Sequence, residues 1–196
     1  MKMACVVSVL VLLGGAGLLA PRPALAHGGE NERKGFLLGG SVGLVRPVAP
    51  DLDDRGYSGG GLVGPVLDLR IGGGFAEGVL LMFESITTIG ASPPPGASDR
   101  ILAQHTLVSV QRFAESVDPN LYARAGAGVA WTRVRTTPGA DATTSAFGLA
   151  LGAVLGYEWR FGSSFTVTFE LGTLFTATEL AIIATPLATL GSQWYW

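Results

Sequence analysis

The sequence is 196 residues long and only 14% of them are charged, against roughly 25% in an ordinary soluble domain, so a charged surface is not what keeps it dispersed. The formal net charge is −2, and loss of residues 1–26 with Lys2 and Arg22 would leave 11 of the 13 basic residues against 15 acidic ones; neither balance supplies the basic stripe that a nucleic-acid partner requires. The single cysteine, Cys5, lies in that leading stretch, which excludes disulfide and thiol chemistry from the remainder.

Residues 1–26 have the three parts of a secretory signal peptide: Lys2, an apolar run from Val6 to Ala20, and the small-residue site Ala24-Leu25-Ala26. Pro21 and Pro23 close the apolar run short of the roughly 20 residues that a spanning helix needs, which disfavours an uncleaved anchor. No cysteine stands at the cleavage point to accept a lipid. The mature chain is expected to begin at His27, with a short polar segment over 27–33 and one patterned domain over 34–196.

Beyond residue 34 the apolar residues recur at period two in eight segments, about 35–46, 60–71, 77–89, 101–113, 121–134, 146–159, 164–176 and 183–196. Each is near or above the roughly 9–11 residues with which a tilted strand crosses a bilayer. In the second segment Val63, Pro65, Leu67, Leu69 and Ile71 share one face and Asp68 and Arg70 the other. The sixth is the clearest, with Phe147, Leu149, Leu151, Ala153, Leu155, Tyr157 and Trp159 on one face and Gly148, Ala150, Gly152, Val154, Gly156 and Glu158 on the other. In the seventh, Phe165, Val167, Phe169 and Leu171 oppose Thr166, Thr168 and Glu170. A large apolar face backed by a small or charged one is the pattern of a transmembrane barrel, apolar outside and polar inside. Eight is an even number of strands and closes a sheet, predicting an all-β, eight-stranded antiparallel up-and-down barrel.

The connections alternate in length. Those over 47–59, 90–100 and 135–145 are long and rich in Pro, Gly, Asp and Thr, whereas 72–76, 114–120 and 160–163 are short, and 177–182 is also brief. Short turns belong in the periplasm and long loops outside, so both mature termini are expected in the periplasm. Phe36, Phe75, Phe113, Trp159, Phe161, Phe165, Trp194 and Trp196 gather at the short-turn ends of the segments, and Phe83, Trp131, Phe147 and Phe175 lie nearer the opposite rim, as two interfacial girdles.

Three motifs resemble sites of chemistry. Gly59-Gly-Gly61-Leu-Val-Gly64 matches G-x-G-x-x-G, with Glu84 downstream, but a period-two strand follows where a dinucleotide site needs a helix. Gly39-Gly-Ser41-Val-Gly43 matches a nucleophile elbow, yet lies within a strand segment rather than at a strand–turn–helix junction. Asp51, Asp53 and Asp54 resemble a cation loop, but Arg55 stands where a further ligand belongs. No catalytic residue, metal ligand or cofactor is assigned.

The inward positions carry Asp68, Arg70, Glu84, Arg124, Glu158 and Glu170, with Tyr122 beside them. An eight-stranded barrel leaves room inside for little but side chains, and buried charges must be paired, so these residues read as an ion network plugging the lumen, the rival being a narrow gated pore. The fourth segment admits two parities. If Val108 and Val110 face lipid, His105, Ser109 and Gln111 point inward and Arg112 snorkels to the rim; the opposite parity puts Arg112 in the lumen and His105 on the lipid face.

The alternating pattern, Leu121-Tyr-Ala-Arg-Ala-Gly-Ala-Gly-Val129 and Leu149-Ala-Leu-Gly-Ala-Val-Leu-Gly-Tyr-Glu-Trp159 together resemble the small outer-membrane barrels of the OmpA/OmpX type. The resemblance implies a C-terminal assembly signal, polar-x-Gly-x-x-aromatic-x-aromatic, whose positions match Thr189, Gly191, Trp194 and Trp196. It also implies outer-membrane lipids as surroundings, the barrel-assembly machinery as a partner in biogenesis, and a monomer. Some relatives act on lipid A, but the deacylases among them need a His-x-Ser pair where this chain has His105 and Leu107, and HGGENERK is too short and polar for the helix of the palmitoyltransferases. The expected role is therefore non-enzymatic, structural or in surface interaction through the loops, with a narrow channel as the alternative and a lipid A enzyme behind it.

Overall fold

The computed structural model describes Arg33 and residues 35–48, 63–91, 100–114, 116–136, 142–161, 164–179 and 181–196. The signal-cleavage residues Ala24, Ala26 and His27, and the acidic stretch at Asp51, lie outside them.

Eight strands follow one another in chain order: β1 Phe36–Val45, β2 Gly64–Ala76, β3 Val79–Ala91, β4 Arg100–Ala114, β5 Asp118–Thr136, β6 Ala142–Phe161, β7 Phe165–Thr178 and β8 Ile182–Tyr195. Each pairs antiparallel with its predecessor, and β8 pairs back to β1, closing the barrel. Closure leaves no unpaired edge, so every strand finds hydrogen-bond partners on both sides within the sheet. The β1–β8 seam continues past the named strands, with Phe36 N donating to Trp196 O and Trp196 N to Phe36 O at 3.1 and 2.9 Å.

Burial follows the sequence parity. Leu67, Leu69, Ile71, Phe147, Leu149, Leu155, Trp159, Phe169 and Leu171 are exposed, whereas Asp68, Arg70, Glu158, Thr166, Thr168 and Glu170 are buried. In β4, Val108 and Val110 face out while His105, Ser109 and Gln111 are buried, so the lumen, not the outer face, receives the imidazole.

Three sequence expectations change. The turn between β2 and β3 is Glu77-Gly78, not residues 72–76. Gly72 and Gly73 show no facial pattern because they lack side chains, yet both remain paired on two sides, with Leu37 and Met82 and with Phe36 and Leu81. Gly78 instead takes the positive φ, 63°, that a tight turn requires. Likewise β5 and β6 run further than their apolar pattern, with Val134 opposite Thr144 and Arg135 opposite Thr143; β-branched threonines sustain a ladder as well as apolar residues do. Phe113 is buried rather than part of the outer girdle, because the parity that turns Val108 and Val110 outward turns it in.

Candidate functional site

From the turn end, where Phe36 and Tyr195 lie, to the loop end, the lumen is filled in layers. At the turn end Leu37, Leu80, Met82, Phe113, Tyr122 and Tyr195 form one buried cluster. Arg33, which precedes β1, enters this layer: its guanidinium stands 3.4 Å from the Phe113 ring centroid and donates to Glu158 Oε1 at 2.7 and 2.9 Å and to Pro119 O at 2.5 Å. Arg160 Nε lies 3.2 Å from the same carboxylate oxygen, and the Tyr195 hydroxyl 3.1 Å from the other.

The middle layer is ionic. Arg70 of β2 donates to Asp68 Oδ2 through Nε at 2.6 Å and also through Nη2, and spans to β7, where Nη1 and Nη2 meet Glu170 Oε1 and Oε2 at 2.7 and 2.5 Å. Arg124 of β5 reaches the same two oxygens at 2.7 and 3.1 Å, and its Nε lies 2.7 Å from Glu84 Oε1 on β3. The Tyr122 and Thr189 hydroxyls donate to Glu170 at 2.5 and 3.1 Å, and Ser109 donates to Glu84 Oε2 at 2.9 Å. Ser41 accepts from Arg70 Nη2 at 3.2 Å. Formally, two guanidiniums face three carboxylates.

Above the charges lies an apolar collar: Val45, Val66, Ile86, Leu107, Ala130, Ala150, Leu174 and Leu187 form one buried cluster, and each comes from a different strand. Leu107 and Leu174 lean together over Gly152, where an added Cβ would come within 3.1 and 3.2 Å of them. A second buried cluster, Ile101, Val134, Ala181 and Ile183, lies nearer the loop end. His105 bridges strands at this height, with Nε2 2.8 Å from Thr176 Oγ1 and Nδ1 3.4 Å from Ile86 O.

Asp68, Arg70, Glu84, Tyr122, Arg124 and Glu170 thus meet in one cluster, while Glu158 does not join it. Glu158 lies far enough toward the turn end of β6 to be taken by Arg33, Arg160 and Tyr195 instead. Sequence reasoning missed Arg33, placed among polar residues of the 27–33 segment; no local pattern marks one arginine there as the group that folds back into the barrel. Ser41, which the elbow motif offered as a nucleophile, is a buried strand residue holding Arg70. Of the assembly-signal positions, Thr189 is buried at Glu170 and Gly191 lies against Ser41 and Thr168, whereas Trp194 and Trp196 are exposed on the outer face. Among the described residues no group of His, Asp or Glu is arranged to hold a metal ion.

A closed eight-stranded up-and-down barrel, apolar outside and filled by side chains within, is the architecture of the small OmpA/OmpX-type transmembrane barrels. Solved structures share this fold. The chain is similar to Neisserial surface protein A with a TM-score of 0.61 and 10% identity, covering 83% of this chain and 98% of that one. It is similar to Ail, the attachment invasion locus protein of Yersinia pestis, with a TM-score of 0.54 and 14% identity, covering 82% and 99%. Ail has also been solved in complex with the heparin analogue sucrose octasulfate; that structure gives a TM-score of 0.52 and 15% identity, covering 81% and 99%. No family model and no curated protein matches the sequence. At these identities the likeness establishes the fold alone.

Proposed function

We propose that this chain is an integral outer-membrane barrel protein without enzymatic activity, closed to solutes, acting structurally or in surface interaction through its loop end. The observation that carries the reading is the collar contributed by all eight strands above the ion cluster. Ions crossing that layer would lose their water without gaining ligands, at a cost of several kcal/mol. In this reading the long connections face outward, the turn end faces the periplasm, outer-membrane lipids surround the monomer, and β8 with Thr189, Gly191, Trp194 and Trp196 is what the barrel-assembly machinery engages. The solved complex of Ail with a heparin analogue is a precedent for surface interaction on this fold.

The test joins envelope fractionation to planar-bilayer recording. The protein should remain in the outer-membrane pellet through carbonate extraction and show no conductance steps. Steps that disappear in Arg70→Ala would establish a lumenal channel instead, and a changed lipid A mass in overexpressing cells would establish an enzyme.

A further inference from the structure

The three carboxylates of the ion cluster are unequally served. Glu170 takes four guanidinium contacts, two from Arg70 and two from Arg124, and the Tyr122 and Thr189 hydroxyls besides. Asp68 receives both Nε and Nη2 of Arg70 on Oδ2, while its Oδ1 has no hydrogen-bond partner. Glu84 meets the guanidiniums least. Arg124 Nε is 2.7 Å from its Oε1 but not aligned as a hydrogen bond, and Arg70 Nε is 3.7 Å away. Glu170 and Asp68 thus take up the two positive charges, and a third carboxylate charge has no counter-charge of its own.

All three carboxyl groups are buried, beneath the collar and above the turn-end cluster, so a solvent counter-ion does not reach them. An isolated charge in such a place costs several kcal/mol, and a carboxyl group ordinarily becomes neutral instead. A neutral carboxyl needs an acceptor for its proton. Glu84 has one, since Oε2 is 2.9 Å from Ser109 Oγ. Ser109 is seated over Gly126, where an added Cβ would come within 2.1 Å of the hydroxyl oxygen. No hydrogen-bonding neighbour stands at Asp68 Oδ1. A metal ion fits less well as the counter-charge, because among the described residues no group of carboxylates is arranged to hold one.

We propose that the closed lumen binds one proton, held on Glu84 Oε2 and donated to Ser109 Oγ, so that the cluster carries two charges of each sign. The charged and titratable groups around it are Asp68 and Arg70 of β2, Tyr122 and Arg124 of β5, and Glu170 of β7. β1, β4 and β8 present the hydroxyls of Ser41, Ser109 and Thr189, β6 presents Val154 opposite Arg124, and His105 of β4 is turned to Thr176 and Ile86. Folding takes this proton up and unfolding returns it, because a carboxyl group of the unfolded chain is ionised near neutrality. The sign of the linkage follows: the folded barrel is favoured at mildly acidic pH and loses that advantage as the pH rises above the ordinary carboxyl range. The inference rests on the reading that the lumen is closed to solutes.

The test uses the full chain, refolded from urea into lipid vesicles in light or heavy water and checked by heat-modifiable migration. Infrared spectra at neutral pH should show a protonated-carboxyl band that shifts on deuteration. Glu84→Gln should abolish it, and Glu158→Gln should not, since the Glu158 carboxylate has Arg33 and Arg160 as partners. In urea unfolding, the folding constant of the unaltered protein should fall about tenfold more per pH unit than that of Glu84→Gln on the alkaline side of the carboxyl range. Absence of the band, a band that survives Glu84→Gln, a band that Asp68→Asn removes instead, or identical pH slopes would each overturn the proposal. So would a stability that follows the alkali cation of the buffer rather than its pH. The spectrum of the unaltered protein decides the matter even where a variant fails to fold. Conductance is read separately; steps in the unaltered protein would remove the closed-lumen reading and leave the spectral result standing.

Discussion

Arg70 on β2 and Glu170 on β7 meet across the lumen in a two-pronged contact, 2.7 and 2.5 Å between their paired atoms. Arg124, Tyr122 and Thr189 converge on the same carboxylate, so Glu170 is the hub of the cluster. Glu170→Ala leaves two buried guanidiniums without their shared partner and should destabilise the barrel by about 3–5 kcal/mol. Glu84→Gln should behave differently. It keeps a hydrogen-bonding group beside Ser109 and Arg124 and brings the cluster to two charges of each sign, so its cost should stay below about 1 kcal/mol. Urea unfolding in lipid vesicles measures both, and equal losses would show that Glu170 has no special place.

Gly156 is opposite Tyr122, and a Cβ there would come within 2.2 Å of the tyrosine ring. The ring is held by Phe113, 5.4 Å between centroids, and by Glu170, so it has little room to retreat. Gly156→Ala should cost about 1–3 kcal/mol by overpacking, and Tyr122→Phe in the same background should cost less than it does alone. Strictly additive unfolding free energies in that double-mutant cycle would contradict the contact.

Arg33 closes the turn end against Glu158, but Arg160 and Tyr195 hold the same carboxylate. Arg33→Ala should therefore cost only about 1–2 kcal/mol, less than a buried pair whose partner is wholly lost. Adding Glu158→Gln should recover none of the loss, since Arg160 already balances the carboxylate and would lose its own partner. A loss as large as that of Glu170→Ala would mean that Arg160 and Tyr195 contribute nothing at this site.

Leu107 and Leu174 are the two collar residues that reach over Gly152. Replacing both with serine admits water to the layer above the ion cluster, and small conductance steps should appear in planar bilayers where the unaltered protein is silent. Ile89→Ser, exposed on the outer wall, is the control and should remain silent. Steps in the control, or silence in the double variant alongside normal folding, would show that the seal lies elsewhere.

Trp196 lies 5.7 Å from Phe36 between ring centroids, across the seam that closes the barrel. Trp196→Asp puts a charge on an outward position near the interface, where an indole is favourable, and removes that contact. The folded, heat-modifiable fraction recovered from the membrane should fall more than for any single substitution in the 92–99 segment. Recovery at the normal level would count against a role for this residue in assembly.

Much of the fold was legible because alternation is a local property. Phe147 to Trp159 displays both faces of β6 within one short stretch, and no distant contact is needed to read which is apolar. Legibility failed where side chains carry no facial signal: at Gly72 and Gly73, which stay in β2, and at Thr143 and Thr144, which extend β6. The membership of the ion cluster was only half legible. Parity identified the inward charges, but not that Glu158 would be held apart by Arg33.

The sequence by itself thus determined the strand number, the inside-out polarity, and which residues of most strands face the lumen, because period two binds each side chain to one side of a pleated backbone. Only the tertiary structure decided who meets whom. Register and closure bring Arg70 to Glu170, gather one collar residue from each strand, and set Arg100 against Arg135. Those relations depend on how far each strand is displaced along its neighbour, a quantity that hydrogen bonding between distant segments sets and that no single segment contains.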